Sequence, residues 1–310
     1  MSDRNNEFVK NMISVEELKI IEDLNYKTVY LATMTRSGTW YCHYMFEILE
    51  TGLREGHIIN QNHNLNILEG IKCIKAHTHS IFPDFLKLYQ GPYRQKWVQL
   101  QFPNSGMNHG HVYVDYYPVL FSRIKNPNLI VIYLYRNPLD NMVSSFHHYK
   151  NHTSETVRTY TDKITGIKKT FESPSEFMRE GGLEGYIKQY FTFHSLRGYE
   201  NAHHFCYEDL VREPFKTFSQ ILNNIGFYPS TIREHEAIAR AVRLSSPENL
   251  RQIELAKGSS LADDQLMPGG STMHGGAIGK WKSELDSDDI EYCFSKLHEF
   301  GISNDEFIFE

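Results

Sequence analysis

Apolar runs punctuate a polar chain, and their lengths alternate between strand-like and helix-like. Thr28-Val29-Tyr30-Leu31-Ala32 reads as a buried strand, and Cys42 to Leu49 as the helix that follows it. Ile71 to His77 is a second strand candidate, ending at a histidine. Leu129-Ile130-Val131-Ile132-Tyr133-Leu134-Tyr135 is the strongest strand, because its apolar run is continuous, as expected where a parallel sheet is covered on both faces. A helix is predicted from Asp140 to about Tyr149, and a polar loop over 151–175. Further on the pattern predicts a helix over 183–196, a short strand from His203 to Tyr207 and a helix over 214–225. It then predicts a helical stretch over 230–256, a Gly/Ser-rich mobile stretch over 257–280 and a C-terminal helix at about 287–299. Strands alternating with helices predict an α/β fold: a single domain with a mostly parallel central sheet flanked by helices. A polar tail with a short helix, 1–25, precedes the domain at 26–310. An irregular, aromatic-rich insertion at about 80–126 reads either as a wall or lid of a binding site or as a structural hairpin.

Between the first strand and its helix lies Thr33-Met34-Thr35-Arg36-Ser37-Gly38-Thr39-Trp40-Tyr41. A strand, a tight turn with small hydroxyl residues and a cation, then a helix start forms a phosphate cradle. Backbone N–H groups at a helix N-terminus point at an anion, and the helix dipole favours its charge. Gly38 allows close approach of the backbone. The turn is neither a Walker A loop nor G-x-G-x-x-G. Ligands of a doubly wound sheet bind outside the carboxyl ends of its strands. Those ends carry polar or charged residues here: Arg36 to Thr39, Lys75-Ala76-His77, Arg136-Asn137-Pro138 and Tyr207-Glu208-Asp209.

Composition narrows the picture. A hydrophobic fraction of 40%, a charged fraction of 23% and 310 residues are those of an ordinary globular chain. The net charge of −6 disfavours nucleic acid and anionic membrane as partners, so an anionic ligand must be held by local cations. Cys42, Cys73, Cys206 and Cys293 form no C-x-x-C and read as buried reduced thiols. His109 and His111 lack an evident third ligand, so no metal is expected. The polar first residues predict no secretory signal, and no run approaches the ~20 apolar residues of a membrane span. A cytoplasmic protein is expected.

These residues resemble the cytosolic sulfotransferases, which use 3′-phosphoadenosine-5′-phosphosulfate (PAPS) and release 3′,5′-adenosine diphosphate (PAP). The family's T-Y-P-K-S-G-T-T-W is similar to Thr33–Tyr41, and its R-N-x-x-D-x-x-x-S to Arg136–Ser144. Its Y-E-D-L element, with the following proline and helix, is similar to Tyr207–Gly226, and its G-x-W-K to Gly279–Lys282. The resemblance implies a P-loop-like nucleotide-binding fold. It implies that Arg36, Ser37, Gly38 and Thr39 would hold the 5′-phosphosulfate, and that Arg136 and Ser144 would bind the 3′-phosphate. Trp40, Tyr41 and Tyr207 would lie by the adenine, and Ser245 in a further cofactor-binding segment. His77 would be the catalytic base, with Lys75 and Arg36 neutralising developing charge. The implied reaction is in-line transfer of a sulfuryl group to a hydroxyl of a small molecule, by positioning and electrostatics.

The chain departs from the family pattern in places. Arg36 replaces the usual lysine, which confines it to an electrostatic role. His274-Gly275-Gly276 stands where the family carries Arg-Lys-Gly, leaving His274, Lys280 or Lys282 to serve the 3′-phosphate. Lys282 and Glu291 keep the ends of the family's dimer segment, but Asp286-Ser287 replaces its centre, leaving monomer or weak dimer open. Two other readings stand beside the enzyme: a non-catalytic or altered-cofactor binding protein on the same scaffold, and a P-loop-like kinase. The acceptor is not legible in the sequence.

Overall fold

The computed structural model describes residues 28–34, 36–54, 129–153, 155–161, 165–194, 197–258 and 276–309. The predicted tail at 1–25, the strand at 71–77 and the insertion at 80–126 lie outside the described residues. So does most of the Gly/Ser-rich stretch.

Strand β1, Thr28–Thr33, leads through a tight turn into helix α1, Thr39–Arg54. Strand β2, Leu129–Tyr135, leads into α2, Pro138–Lys150. A short helix α3, Glu155–Arg158, precedes a hairpin of β3, Thr159–Thr161, and β4, Lys168–Thr170. Next come α4, Pro174–Phe177, a π-helical turn over Met178–Gly182, and α5, Leu183–His194. Strand β5, Ala202–Cys206, runs into α6, Tyr207–Arg212, and α7, Pro214–Asn224. Helices α8, Ile232–Leu244, α9, Pro247–Lys257, α10, Trp281–Glu284, and α11, Ser287–Glu299, follow.

The sheet runs β1-β2-β5 with all pairings parallel. Its middle strand explains the unbroken apolar sequence of β2. Ile130, Ile132 and Leu134 bury one way, against α1, α7 and α8, and Tyr133 buries the other way, against α2, α5 and α11. This is the alternation a strand imposes on its side chains. On the first face Phe46 meets Phe218 edge-on at 5.1 Å, and a Cβ at Gly52 would lie 3.6 Å from that of Ala237, so α1 and α8 pack closely. The other face is more aromatic, with Phe307 lying 5.1 Å from Tyr190 and 6.2 Å from Tyr186.

The structure corrects the pattern in several places. Residues 151–175, expected as loop, contain α3 and the antiparallel hairpin β3–β4. Tyr160 and Phe171 stack at 4.8 Å, both buried, and anchor an otherwise exposed polar ribbon to the core. The stretch at 230–256 is two helices, because Pro247 cannot continue the first. The Ser245 hydroxyl donates to the Ala241 carbonyl at 2.7 Å at the end of α8, and Ser246 caps α9 by accepting from the Asn249 N–H. The strand at 203–207 ends one residue earlier, and Tyr207 opens a helix. Cys42, Cys206 and Cys293 are free and buried, as expected, while Cys73 lies outside the described residues. Among the described residues no helix is long and apolar enough to cross a membrane.

Candidate functional site

The turn after β1 is tightly drawn. The Met34 N–H extends the ladder to the Leu134 carbonyl at 2.9 Å, and the Ser37 N–H closes the turn on the Met34 carbonyl at 3.2 Å. Arg36 sits in the left-handed region at φ +62°, uncommon for a residue with a side chain. Gly38 has φ +83°, and a Cβ there would lie 2.6 Å from the Tyr207 ring. Glycine is therefore required twice over, by conformation and by space. Ser37 is fully buried, and its Oγ has no hydrogen-bond partner among the described residues. Thr39 and Trp40 open α1, whose first turn carries no acidic residue; their side chains lie outside the described set.

The end of β2 brings Arg136 to the same corner. It is 6% exposed. Its Nη1 donates to the Arg36 carbonyl at 3.3 Å and its Nη2 to the Ala277 carbonyl at 2.9 Å. The guanidinium lies 4.7 Å from the centre of the Tyr207 ring. Asp140 and Glu208 each stand 3.9 Å from it, while its Nε makes no hydrogen bond among the described residues. Its carbonyl accepts from the Tyr186 hydroxyl at 2.6 Å.

A buried network supports this cation. Asn137 caps α2 by accepting from the Asp140 N–H at 2.9 Å. Its Nδ2 donates to Glu208 at 2.8 Å and to Asp140 at 3.2 Å, and its backbone N–H donates to Glu208 at 3.1 Å. The Cys206 thiol donates to the other oxygen of Glu208 at 2.7 Å. Burial raises the Glu208 carboxyl above its usual value, opposed by the Cys206 hydrogen bond and the Arg136 charge. Asp140 also accepts from the Gly279 N–H at 2.7 Å and the Trp281 N–H at 3.4 Å, tying residues 276–281 to the strand ends.

Ser144, on the next turn of α2, accepts from Arg36 Nε at 3.3 Å. The first two motifs therefore touch. Burial and the neighbouring Arg136 charge pull the Arg36 guanidinium down to about 10, which still leaves it a cation at neutral pH. Gly276 has φ +62°, and a Cβ there would meet Pro247 at 2.6 Å and the Tyr207 hydroxyl at 3.2 Å.

Of the residues singled out by sequence, Arg36, Ser37, Gly38, Arg136, Ser144, Tyr207 and Gly276 come together at this corner. Tyr41 is buried in the core cluster that also holds Tyr207, and burial raises its phenol. Ser245 is fully buried at the end of α8 with its hydroxyl on the Ala241 carbonyl. Burial lowers the half-buried Lys280 ammonium, and the charge of Arg136 acts in the same direction. Lys282 lies 5.7 Å from the Trp281 ring. His147 approaches Glu284 at 2.5 Å, a surface pairing. His77, Lys75, His274 and Gly275 lie outside the described residues. Sequence reasoning missed Asn137, Asp140 and Glu208 as a network. They stand inside the quoted motifs, but their significance depends on partners up to 141 residues away. Among the described residues no cluster of His, Cys, Asp or Glu is arranged to hold a metal ion. Chemically the corner can bind a polyanion and neutralise charge that develops on it.

Comparison with known proteins agrees with this architecture. The sulfotransferase domain family matches residues 27–299. Cytosolic sulfotransferase 14 of Arabidopsis thaliana is 27% identical over 242 residues, covering 75% of this chain and 63% of the relative. The amine sulfotransferase of Oryctolagus cuniculus is 26% identical over 177 residues, covering 54% of this chain and 53% of the relative. The chain thus spans between about half and two thirds of the length of these relatives. A retinol dehydratase in complex with retinol and PAP superposes with a TM-score of 0.53 at 16% identity, over 96% of this chain and 85% of that one. The same enzyme with androsterone and PAP gives 0.52 at 15% identity, over 96% and 94%. At such identities the likeness concerns the fold: parallel strands flanked by helices. With the family match spanning nearly the whole chain, the protein belongs to the sulfotransferase family.

Proposed function

We propose that the protein transfers a sulfuryl group from PAPS to a hydroxyl of a small-molecule acceptor. The observation that carries this reading is the pairing of Arg36 and Arg136 at adjacent strand ends, beside two buried polar atoms, Ser37 Oγ and Arg136 Nε, that lack hydrogen-bond partners among the described residues. Buried polar groups are ordinarily satisfied, so such atoms in a cationic corner fit a bound anion. The close approach of Gly38 to the Tyr207 ring adds an aromatic wall.

In this reading Arg36, Ser37, Gly38 and the N–H groups opening α1 hold the 5′-phosphosulfate end of the nucleotide. Arg136 and Ser144 hold its 3′-phosphate. Tyr207, with Trp40 and Tyr41, bounds the adenine side, Ser245 belongs to a further cofactor-binding segment, and His274 would stand in for the family's 3′-phosphate cation. When bound, PAPS supplies an activated sulfuryl group on a phosphate leaving group. His77 takes the proton from the acceptor hydroxyl, as a neutral imidazole can near pH 7. Arg36 and Lys75 offset the negative charge that grows on the leaving side. The roles of His77 and Lys75 rest on the resemblance of the Lys75-Ala76-His77 segment to the family's element.

Retinol and androsterone in the structural relatives support a ringed, apolar alcohol as the acceptor class. The amine sulfotransferase among the relatives makes amines the comparison class. The test is transfer from labelled PAPS to a panel of phenols, alcohols and amines. His77→Ala is expected to lower turnover by about 10²–10⁴-fold with little change in PAP affinity. Near-normal turnover in that variant overturns the assignment of the base. PAP binding without transfer to any acceptor supports the non-catalytic alternative. Stabilisation by ATP–Mg²⁺ rather than PAP supports the kinase.

A further inference from the structure

We propose that Asp140 is a positioning residue that latches residues 276–281 across the strand-end site and thereby sets how Arg136 meets a nucleotide. The inference rests on the reading of that site as a PAPS site.

Arg136, just before the cap of α2, and Asp140, in its first turn, grip the same short segment from opposite ends. Arg136 Nη2 donates to the Ala277 carbonyl at 2.9 Å. Asp140 accepts from the Gly279 N–H at 2.7 Å and the Trp281 N–H at 3.4 Å. The two side chains lie 3.9 Å apart. The cation thus holds a carbonyl and the anion holds the N–H groups that follow, so the grip reads backbone and asks nothing of the loop's side chains. Gly279, at φ +79°, adopts the left-handed turn that lets successive N–H groups converge on one carboxylate.

The latch is also well founded. Asp140 is 1% exposed, and its carboxylate is steadied by Asn137 Nδ2 at 3.2 Å. Asn137 is fixed in turn by Glu208. On the loop side, Gly276 rests against Pro247 and the Tyr207 hydroxyl. The segment therefore bridges α2, the start of α9 and the ring that Arg136 overlies. Loosening it leaves Arg136 Nη2 without its carbonyl and frees the guanidinium to turn towards Glu208.

Asp140→Asn tests this. The amide keeps the shape but offers one acceptor oxygen, and its NH₂ turns a donor towards a backbone N–H. Asp140→Ser, also suited to a helix first turn, is the second variant. Amide hydrogen exchange on the full chain reads the latch, and calorimetric titration with PAP reads the site. The expected result is faster exchange at Gly279 and Trp281, unchanged exchange in β2, and PAP affinity lower by about tenfold or more. With PAPS, KM is expected to rise while kcat at saturation changes far less, a split that general destabilisation does not produce. Unchanged protection at Gly279 and Trp281 in both variants overturns the latch. Lost protection with unchanged PAP affinity overturns its link to the site. A wild-type chain that binds no PAP removes the underlying reading itself, and the inference with it.

Discussion

At the end of β2 every polar atom of Asn137 has a partner inside the protein. Facing it across the sheet, at the end of β1, Ser37 Oγ is equally buried and has none among the described residues, and Arg36 beside it holds a left-handed backbone. Both corners carry a cation, a small polar residue and a helix start. They differ in whether the protein itself completes them. At the β2–β5 corner Asn137, Asp140 and Glu208 complete one another and hold the 276–281 segment in place, while Arg136 Nε is left without a hydrogen bond among the described residues. The β1 corner carries strain and an unsatisfied hydroxyl, as expected where a ligand supplies the missing partner. Removing Glu208 should cost stability, and removing the Ser37 hydroxyl should cost binding.

The largest effect is expected from Glu208→Ala. It strips partners from the Asn137 N–H and Nδ2 and from the Cys206 thiol in a region closed to water. Urea unfolding should show a loss of about 3–5 kcal/mol, as when one member of a buried pair is removed. A loss below about 1 kcal/mol would show that the Glu208 network adds little to the fold. Gly38→Ala comes next. Its Cβ meets the Tyr207 ring at 2.6 Å and its φ of +83° strains any L-residue. A cost of about 2 kcal/mol is expected from strain and clash together, with PAP binding lost as the turn shifts. Unchanged melting and binding would contradict the geometry.

Ser37→Ala should have the opposite sign. Removing a buried hydroxyl that has no partner should leave stability unchanged or raise it by up to about 1 kcal/mol. PAP affinity should fall about tenfold, the worth of one hydrogen bond to a charged group. A destabilised variant with full affinity would show that the hydroxyl serves the fold after all.

Parts of this division were legible in the sequence and parts were not. The seven-residue apolar run of β2, rich in β-branched and aromatic residues, reads as a strand covered on both faces, and the structure buries it on both. The C-terminal helix expected at about 287–299 is α11, Ser287–Glu299, and the structure adds Asp286 as its cap. The strand, tight turn and helix start around Arg36–Gly38 were readable from residue types alone. The hairpin β3–β4 was not, because Tyr160 and Phe171 give a polar ribbon its anchor only once the core exists to receive them. Glu208 was legible only as one charged residue of a strand end, Tyr207-Glu208-Asp209. Its importance comes from Asn137, 71 residues earlier in the chain, and from burial, neither of which leaves a local signature.

The smallest expected effect concerns two carboxyls moved in opposite directions. Glu208 is raised by burial, so its neutral form favours the folded state. That contribution is present below the usual value near 4.5 and is lost as pH rises through the folded value. Glu234 accepts from the Ser230 and Thr231 N–H groups in an exposed capping box and is lowered to about 2. Its contribution is present above 4.5 and is lost as pH falls towards 2. Carboxyl NMR titration should find the Glu234 midpoint well below 4.5, and Glu208→Gln should remove a decline in stability on raising pH above 4.5. A Glu234 midpoint at the ordinary value would show that its hydrogen bonds to Ser230 and Thr231 do not persist in solution.

The most direct test of an unfinished corner at β1 is thermal melting of the full chain with and without PAP. A nucleotide that binds only the folded state stabilises it by about 2.7 kcal/mol at a hundred times its Kd. The melting temperature is expected to climb with PAP concentration in the wild type, and to climb less in Ser37→Ala. A melting temperature unmoved by millimolar PAP would contradict that expectation.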